Sequence, residues 1–298
     1  MKIAVLSCIH GNLEALEEVL RDIDQRSVDQ IFCLGDLVGY GPYPNEVVSR
    51  IRSLDIPTCQ GCWDEDIVDG LNACDCSYPS LLAEIRGRLA HEWTDQEVTP
   101  ETRNYLASLP LTLHHDNLCF VHGSPQSQHE YLLPETSAFM AMERVMMTGA
   151  DTLFCGHTHV PYVRNLENSH LTLKVVHAPS RSDSAAPQTS TSKTSTPETS
   201  PQKTSTPKTS TPKATPLPLK RIINAGSVGE PRHGRPNATY VIYDTETQQT
   251  DLREVEYDYA KTAAAIIEKG LPAIFAWRLS QGLEYAERAD DPTHVCER

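Results

Sequence analysis

Hydrophobic and polar positions follow two alternating patterns along the first half of the chain. Short apolar runs that lead into glycine-containing turns are typical of buried strands, and they occupy residues 2–7, 30–34, 56–60, 117–122 and 152–155. Between them, apolar residues recur at helical spacing after Asn12, which favours a helix N-cap, and again over 43–53 and 79–92. This alternation predicts an α/β domain with a mostly parallel sheet.

The pattern changes after residue 160, where strand follows strand. The predicted strands are residues 161–165, 170–177, 221–225, 238–243 and 251–257, and a helical tail follows over 258–269 and 272–280. A second sheet packed on the first accounts for both halves. We therefore predict a single domain made of residues 1–178 and 219–298.

Residues 179–218 interrupt the strands with a segment of Thr, Ser, Pro and Lys in which TSTPK repeats every five residues. The segment lacks apolar side chains that burial would stabilise, so we predict a disordered insertion. Three interpretations stay open: a neutral lengthened loop, phosphorylation at the Thr-Pro positions, and a tether to a partner.

The bulk composition excludes some classes of function. A net charge of −14 argues against a broad nucleic-acid-binding surface. The chain has no run of about 18 apolar residues, so no membrane span is expected. The N-terminal sequence MKIAVLSCIH lacks the long apolar region of a secretory signal, and we expect a cytoplasmic protein.

Six glycine-containing turns lie at or near the ends of predicted strands. They are SCIHGN (7–12), GDLVG (35–39), GCWDE (61–65), VHGSP (121–125), GHTH (156–159) and NAGSVGEPR (224–232). Sites form at the carboxyl ends of strands in α/β sheets. The turns are therefore expected to bring together four histidines and a carboxylate: His10, Asp36, His122, His157 and His159. Such a cluster is typical of a transition-metal or two-metal site.

These motifs, in this order, resemble the calcineurin-like metallophosphoesterase superfamily, and within it the small bacterial and archaeal phosphodiesterases. The family pattern is D-x-H, G-D-x-x-[DG], G-N-[HC]-[DE], a further H, and G-H-x-H. Here the first motif reads Cys8-Ile9-His10 and the third reads Gly61-Cys62-Trp63-Asp64. The similarity extends to the loop 224–232 and the tail 257–279, and it covers nearly the whole chain except the insertion.

The resemblance implies a four-layer α/β/β/α sandwich that hydrolyses a phosphodiester or phosphomonoester with two divalent transition-metal ions. One ion would be held by Cys8, His10, Asp36 and His159, and the other by Asp36, Cys62, His122 and His157. Two such ions activate water for in-line attack on phosphorus and neutralise the phosphate oxygens. The candidates for substrate contact or catalysis are Asn12, Asp64 and Arg232.

The chain departs from the family pattern at three positions. Cys8 stands where the family has aspartate, and Cys62 stands where it has asparagine. Thiolates favour zinc or iron, with manganese left open, and their electron donation makes an activated water less acidic. Trp63 occupies the position of a histidine that stabilises the transition state or protonates the leaving group. Tryptophan does neither, which favours diesters or good leaving groups.

The nine cysteines are expected to be reduced thiols. Those in or beside apolar runs are predicted core residues, namely Cys33, Cys59, Cys119 and Cys155. Cys74 and Cys76 follow the GCWDE turn and are either ordinary loop thiols or, with Cys8 and Cys62, ligands of a zinc or iron–sulfur centre.

Two functional hypotheses follow. The first is hydrolysis of a small-molecule phosphate ester, of unspecified identity, at a dinuclear site with mixed His, Asp and Cys ligation. The second is a non-hydrolytic regulatory protein that responds to metal or redox state through its cysteines. The intact histidines favour the first hypothesis. The helical tail is a candidate contact for a homodimer.

Overall fold

The computed structural model of the chain describes residues 1–70, 80–166 and 219–283. The predicted insertion, the predicted strand 170–177 and the pair Cys74 and Cys76 lie outside the described residues. The elements, in chain order, are β1 (Lys2–Leu6), α1 (Leu13–Asp24), β2 (Gln30–Cys33), α2 (Pro44–Ser53), α3 (Cys62–Asp69), α4 (Leu81–Glu97), α5 (Pro100–Ala107), β3 (Thr112–His115), β4 (Leu118–Val121), α6 (Ala138–Thr148), β5 (Thr152–Cys155), β6 (Tyr162–Leu166), β7 (Lys220–Asn224), β8 (Ala238–Asp244), β9 (Thr250–Val255), α7 (Tyr259–Glu268) and α8 (Ala273–Gln281).

The strands form two mixed sheets. The first has the order β2-β1-β8-β9, in which β1 pairs in parallel with β2 and antiparallel with β8. The second has the order β3-β4-β5-β7-β6, with β4, β5 and β7 parallel and the two edge strands antiparallel. The prediction of a mostly parallel sheet is wrong, because β8 and β9 join the first sheet in antiparallel pairs and β3 and β6 flank the second sheet in antiparallel pairs.

Alternation along the strands divides the core into layers. In β1, Ile3 and Val5 face the space between the sheets, whereas Ala4 and Leu6 face the helices α1 and α2. Helix α6 covers the outer face of the second sheet through Ala141. The four layers are therefore helix, sheet, sheet and helix, and the fold class that the resemblance implied is confirmed. The four cysteines assigned to the core are all buried: Cys33, Cys59, Cys119 and Cys155.

Three aromatic rings stack between the sheets. Phe120 is fully buried, and its ring centroid lies 4.2 Å from that of Phe32 and 5.0 Å from that of Phe154. We expect Phe120→Ala to lower the free energy of unfolding by about 3–5 kcal/mol, because the neighbours only partly fill the cavity. Phe139→Ala, at a side chain that is 62% exposed, is the control and should cost less than about 0.5 kcal/mol in denaturant titrations.

Some elements differ from the sequence predictions. Residues 56–60 form only a single bridge, between Cys33 and Thr58, because Pro57 has no N–H to donate to a ladder. The pattern missed β3 and the helices α3, α5 and α6. Helix α3 begins inside the GCWDE turn, where the Asp64 side chain accepts from the N–H of the N-cap residue Gly61. None of the helices in the described ranges is long and apolar enough to cross a membrane.

Candidate metal centre

Loops at the ends of β1, β2 and β5 present most of the predicted ligands from a strained backbone, whereas Cys62 begins α3 and His122 follows β4. Five of the seven have left-handed backbone angles: φ is 53° at Cys8, 48° at His10, 55° at Asp36, 62° at His157 and 59° at His159. This conformation is uncommon for residues other than glycine and costs on the order of 1–3 kcal/mol each. The surrounding fold holds these residues in place, and their side chains converge as a result.

The converging side chains form two groups of four. The first group is Cys8, His10, Asp36 and His159, and the second group is Asp36, Cys62, His122 and His157. Within each group the potential ligand atoms lie within 4.8 Å of one another, and every member is buried. The groups have the composition that the resemblance implied for two metal sites, and Asp36 belongs to both.

Asp36 lies between the groups because its two carboxylate oxygens have different surroundings. Oδ1 accepts a hydrogen bond from the backbone N–H of Trp63 at 2.9 Å. Oδ2 lies 3.2 Å from Nε2 of His122 and 3.5 Å from Nε2 of His10. Burial alone raises the pKa of Asp36, but the neighbouring histidines, His122 first, outweigh burial and hold it below its usual range. The carboxylate is therefore charged, with one oxygen facing both groups.

Three histidines have their tautomer fixed by the backbone. In each, Nδ1 lies 2.6–3.0 Å from a carbonyl oxygen: His10 from Val38, His122 from Leu34 and His159 from Glu230. A carbonyl oxygen only accepts, so Nδ1 of each ring carries a proton and Nε2 is the nitrogen that faces the group. Burial lowers the pKa of His122, but the Asp36 carboxylate beside its Nε2 outweighs burial and raises that pKa. Metal-binding histidines commonly have this outer hydrogen bond.

The first group has the electrostatic character of a cation site. Nε2 of His10 and Nε2 of His159 are 3.1 Å apart, and both nitrogens carry lone pairs. Burial lowers the pKa of His10, and burial together with Arg232 lowers that of His159 to about 3, so neither ring is protonated at neutral pH. Two acceptors at this distance repel unless a cation lies between them. The residues present therefore fit a divalent metal ion.

The second group also contains a thiol, and its His157 faces the other ligand atoms through Nδ1 instead of Nε2. Nδ1 of His157 lies 3.1 Å from Nε2 of His122 and 3.6 Å from Sγ of Cys62. Nε2 of His157 is buried and has no hydrogen-bond partner in the described part of the chain. Burial, reinforced by Asp36, raises the pKa of Cys62 and of Cys8 well above the usual range. Both thiols must therefore lose a proton when a metal ion binds.

Asn12, a candidate for substrate contact, has its amide engaged within the protein. Its Oδ1 caps α1 by accepting from the N–H of Ala15, and its Nδ2 donates to the carbonyl of Gly229 and the hydroxyl of Tyr257. Thr262 also donates to Oδ1. These contacts tie α1, the 224–232 loop and α7 together, and substrate contact by Asn12 stays a prediction.

Asp64, a candidate catalytic residue, is fully buried beneath the Asp36 loop. Its carboxylate accepts from the backbone N–H groups of Asp36 at 2.8 Å, Leu37 at 2.9 Å and Gly61 at 3.0 Å. It thus holds the turn that carries Asp36. These contacts describe a positioning residue, and a direct catalytic role stays a prediction.

Arg232 belongs to a charged cluster beside the first group. Its Nη2 lies 3.0 Å from Oε2 of Glu230, whose same oxygen is 3.3 Å from Nδ1 of His159. Arg278, from α8, lies 2.8 Å from the other oxygen of Glu230. The sequence analysis did not single out Glu230 or Arg278. Glu230 lies within a motif that it quoted, whereas no local pattern indicates that Arg278 reaches the site.

Aromatic residues cover the first group. The Tyr40 ring centroid lies 5.0 Å from that of His10 and 4.4 Å from that of Trp63, and Phe275 of α8 packs on Tyr40 at 5.0 Å. Trp63 itself lies edge-on to His10 at 6.3 Å. Gly39 permits this arrangement, because a Cβ there would lie 2.5 Å from the Trp63 ring. Trp63 therefore packs where the family pattern has a polar histidine.

Comparison with known proteins reveals several relatives. An uncharacterized protein of Methanocaldococcus jannaschii is 33% identical over 286 residues, which cover 94% of this chain and 98% of that protein. The crystal structure of a metallophosphoesterase from Sphaerobacter thermophilus matches with a TM-score of 0.67 and 31% identity, covering 95% of this chain and 100% of that chain.

A hypothetical protein from Pyrococcus horikoshii OT3 has the same fold, with a TM-score of 0.67 at 20% identity over 95% of this chain and 99% of that chain. A sequence profile of the calcineurin-like phosphoesterase superfamily domain matches residues 1–182, which is more than half of the chain. Together with the similarity to the M. jannaschii protein along nearly the whole length, this match shows that the chain belongs to the calcineurin-like phosphoesterase superfamily.

Proposed function

We propose that the protein hydrolyses a phosphodiester or phosphomonoester at a dinuclear metal centre held by the two groups. The observation that carries this proposal is the shared carboxylate: Oδ2 of Asp36 faces His122 in one group and His10 in the other. Two divalent ions bound there would lower the pKa of water and neutralise charge on a phosphate. Family membership supports phosphoester hydrolysis in general.

The protein's own residues orient the predicted ligands. Backbone carbonyls hold the rings of His10, His122 and His159 with Nε2 inward. Asp64 fixes the turn that carries Asp36. Loss of such an outer contact typically lowers metal affinity or activity by about 10–100-fold. The result is a preorganised, acceptor-rich site.

The two thiols favour zinc or iron over manganese and magnesium. Sγ of Cys62 lies 3.6–3.7 Å from the other ligand atoms of the second group, so it is placed to act as a ligand. Thiolate is a soft ligand that zinc and iron accept readily, whereas magnesium and manganese prefer carboxylate and water. We therefore expect a zinc or iron enzyme.

Trp63 narrows the class of substrate. Its indole N–H is a donor with no useful acidity, so it does not protonate a leaving group. Every residue of the two groups is a predicted metal ligand, so none of them is left to protonate the leaving group. Substrates whose leaving group departs without protonation are therefore favoured, such as aryl diesters in an assay.

Restoring the family pattern at both cysteines tests the proposal. We expect the double variant Cys8→Asp, Cys62→Asn to keep hydrolysis of bis(p-nitrophenyl) phosphate and to raise its manganese-supported kcat/KM relative to zinc by about tenfold or more. The physical reason is the exchange of two soft ligands for hard oxygen ligands. Initial rates with zinc, iron and manganese, each after chelation and reloading, provide the measurement.

The variant Cys33→Ala, Cys119→Ala is the matched control, since these thiols are equally buried but lie in the hydrophobic core. It should leave the preference between zinc and manganese unchanged. If neither the wild-type protein nor the restored variant hydrolyses any phosphate ester with any of the three metals, the proposed function is wrong. The regulatory hypothesis would then account better for the cysteines.

A further inference from the structure

Glu230 contacts one predicted metal ligand twice. Its backbone carbonyl oxygen lies 2.6 Å from Nδ1 of His159, and Oε2 of its side chain lies 3.3 Å from the same nitrogen. At His10 and His122 the oxygen beside Nδ1 is a backbone carbonyl. The N–H of His159 thus faces a carbonyl and a carboxylate together. This three-centre contact directs Nε2 of the ring towards the first group.

The carboxylate of Glu230 is held in place and kept charged by two arginines. Nη2 of Arg278 lies 2.8 Å from Oε1, and Nη2 of Arg232 lies 3.0 Å from Oε2. The Glu230 side chain is only 4% exposed. Burial by itself favours the neutral form of a carboxyl group, whereas guanidinium groups at these distances favour the anion. The group beside His159 is therefore a carboxylate.

Helix α8 fixes the position of this ion pair. Arg278 belongs to α8 and is buried, and its guanidinium lies over the ring of Tyr40 at 5.2 Å and over the ring of Phe275 at 5.5 Å. Cation–π attraction is effective at these distances. Because these rings and the carboxylate of Glu230 confine the guanidinium, the C-terminal helix contributes to the surroundings of His159 without supplying a ligand.

The backbone of Glu230 is anchored independently of its side chain. Its N–H donates to Oγ of Ser227 at 2.8 Å, and the Ser227 hydroxyl donates to the carbonyl of Cys8, also at 2.8 Å. The N–H of Gly229 donates to the same carbonyl at 3.0 Å. A change in the Glu230 side chain should therefore leave its carbonyl beside His159. The two contacts with His159 are separable by mutation.

We propose that Glu230 is a positioning residue for the metal ion of the first group, and that its carboxylate acts through His159. This inference rests on the proposed function, in which the first group binds a metal ion. A negative charge beside the Nδ1–H group raises the basicity of the imidazole, which makes Nε2 a stronger ligand. In the described part of the chain, Glu230 contacts a ligand of the first group only, so the effect is confined to one of two ions.

The first test is zinc binding by metal-depleted, full-length protein in competition with a chromophoric chelator. We expect Glu230→Gln to lower the affinity for one of two zinc ions by about 10–100-fold and to leave the affinity for the other within about twofold. Glutamine keeps the shape of the side chain and removes its charge. Glu230→Asp keeps the charge but withdraws it from Nδ1, so its affinity should lie between those of Glu230→Gln and wild type.

Glu254→Gln is the matched control. Glu254 also pairs with an arginine, Arg235 at 2.6 Å, and it lies 3.7 Å from a histidine, His233, that belongs to neither group. Its variant should bind both zinc ions as wild type does. The melting temperature of each metal-free protein shows that it is folded and measures the structural contribution of each ion pair separately from metal binding.

A double-mutant cycle tests whether Glu230 acts through His159. In the background of His159→Ala, measured with a weaker chelator, we expect Glu230→Gln to change zinc affinity by less than about twofold, because the ring that transmits the effect is gone. A carboxylate that attracts the cation directly through space, or that only stabilises the loop, would cause the same loss in both backgrounds. That result would refute the positioning role.

The remaining outcomes separate the inference from the proposed function. Unchanged zinc affinity in folded Glu230→Gln, or an equal loss for both ions, would overturn the inference and leave the metal centre intact. If Glu230→Gln does not fold, Glu230→Asp takes its place, and wild-type affinity for both ions would overturn the inference. A wild-type protein that binds neither zinc nor iron would refute both. Zinc binding that depends on Glu230, in a protein that hydrolyses no ester, would refute the proposed hydrolysis and support the inference.

Discussion

Asp36→Asn is expected to lower kcat/KM for a phosphodiester by about 10³-fold or more. Among the described residues, Asp36 is the one that belongs to both groups, and its Oδ2 lies 3.2 Å from His122 and 3.5 Å from His10. Its replacement by a neutral amide removes the shared negative charge, so both groups bind cations more weakly. Metal ions stabilise charge in such transition states by several kcal/mol, and each 1.36 kcal/mol corresponds to a factor of ten in rate.

The fold should tolerate this change. Asp36 has a φ of 55°, and asparagine is among the residues that adopt this left-handed conformation with least cost. The amide oxygen of the variant is still able to accept from the N–H of Trp63, as Oδ1 does now at 2.9 Å. The effect on activity is therefore separable from an effect on folding.

Asp55→Asn is the matched control for this experiment. Asp55 also has a left-handed backbone, with a φ of 49°, but it lies exposed between α2 and the following loop. Its variant should retain full activity and metal content. Steady-state kinetics with two metals, combined with metal analysis after dialysis, supply the readouts. If Asp36→Asn keeps two ions per chain and full activity, a shared carboxylate is not needed and the dinuclear arrangement is disproved.

The sequence predicted the composition of both groups because the residues able to bind a metal ion also stand at the ends of predicted strands. Each ligand motif sits in a short turn at the end of an apolar strand, as with His10 after β1 and His157 after β5. Strand ends at the same edge of a sheet converge. The order of the motifs and the resemblance then divided the residues into the same two sets that the structure brings together. Whether those sets bind metal stays a prediction.

The sequence could not predict contacts made by side chains far apart in the chain. Arg278 and Glu230 are 48 residues apart in number, and their ion pair depends on how α8 packs over the 224–232 loop. Helix periodicity in α8 shows which positions are apolar. A buried arginine breaks that pattern, and the sequence does not indicate which residue it pairs with. Likewise, the capping role of Asn12 was predictable, whereas its bonds to Gly229 and Tyr257 were not.

Short polar helices and mixed sheets were missed for a related reason. Helix α3 follows Gly61 and is only eight residues long, and its first turn belongs to the GCWDE motif. A segment of this length gives little periodicity to detect. The insertion of β8 beside β1 joins strands from opposite ends of the chain, a pairing that local patterns do not encode. The layers were predictable because they depend on which faces are apolar.

Removal of metal is expected to lower the melting temperature of the protein substantially. The acceptor atoms of the first group repel one another, as Nε2 of His10 and Nε2 of His159 do at 3.1 Å, and a bound cation converts that repulsion into attraction. A metal concentration of about 1,000 times Kd stabilises by about 4 kcal/mol per site. For a domain of this size, that corresponds to a shift of about 8–16 °C per site.

His159→Ala identifies the source of this shift. The variant loses one ligand of the first group, so zinc should raise its melting temperature by only about half as much as in wild type. Without metal, the melting temperature of the variant should lie close to that of metal-free wild type. Truncation of His159 leaves a cavity, but it also removes the repulsion with His10, which offsets part of the cost of that cavity. His114→Ala, at an exposed position in β3, is the control and should keep the full zinc-dependent shift.

Differential scanning calorimetry with chelator and with zinc measures all three proteins under the same conditions. A wild-type melting temperature that does not respond to zinc, iron or manganese would mean that the two groups are not cation sites. In that case the buried histidines would be stabilised by their backbone hydrogen bonds alone. The repulsion between the lone pairs of His10 and His159 would then destabilise the fold with no bound cation to offset it. A shift that His159→Ala halves and His114→Ala preserves would instead locate the stabilising cation in the first group, at the strained loop ends where the chain brings its acceptors together.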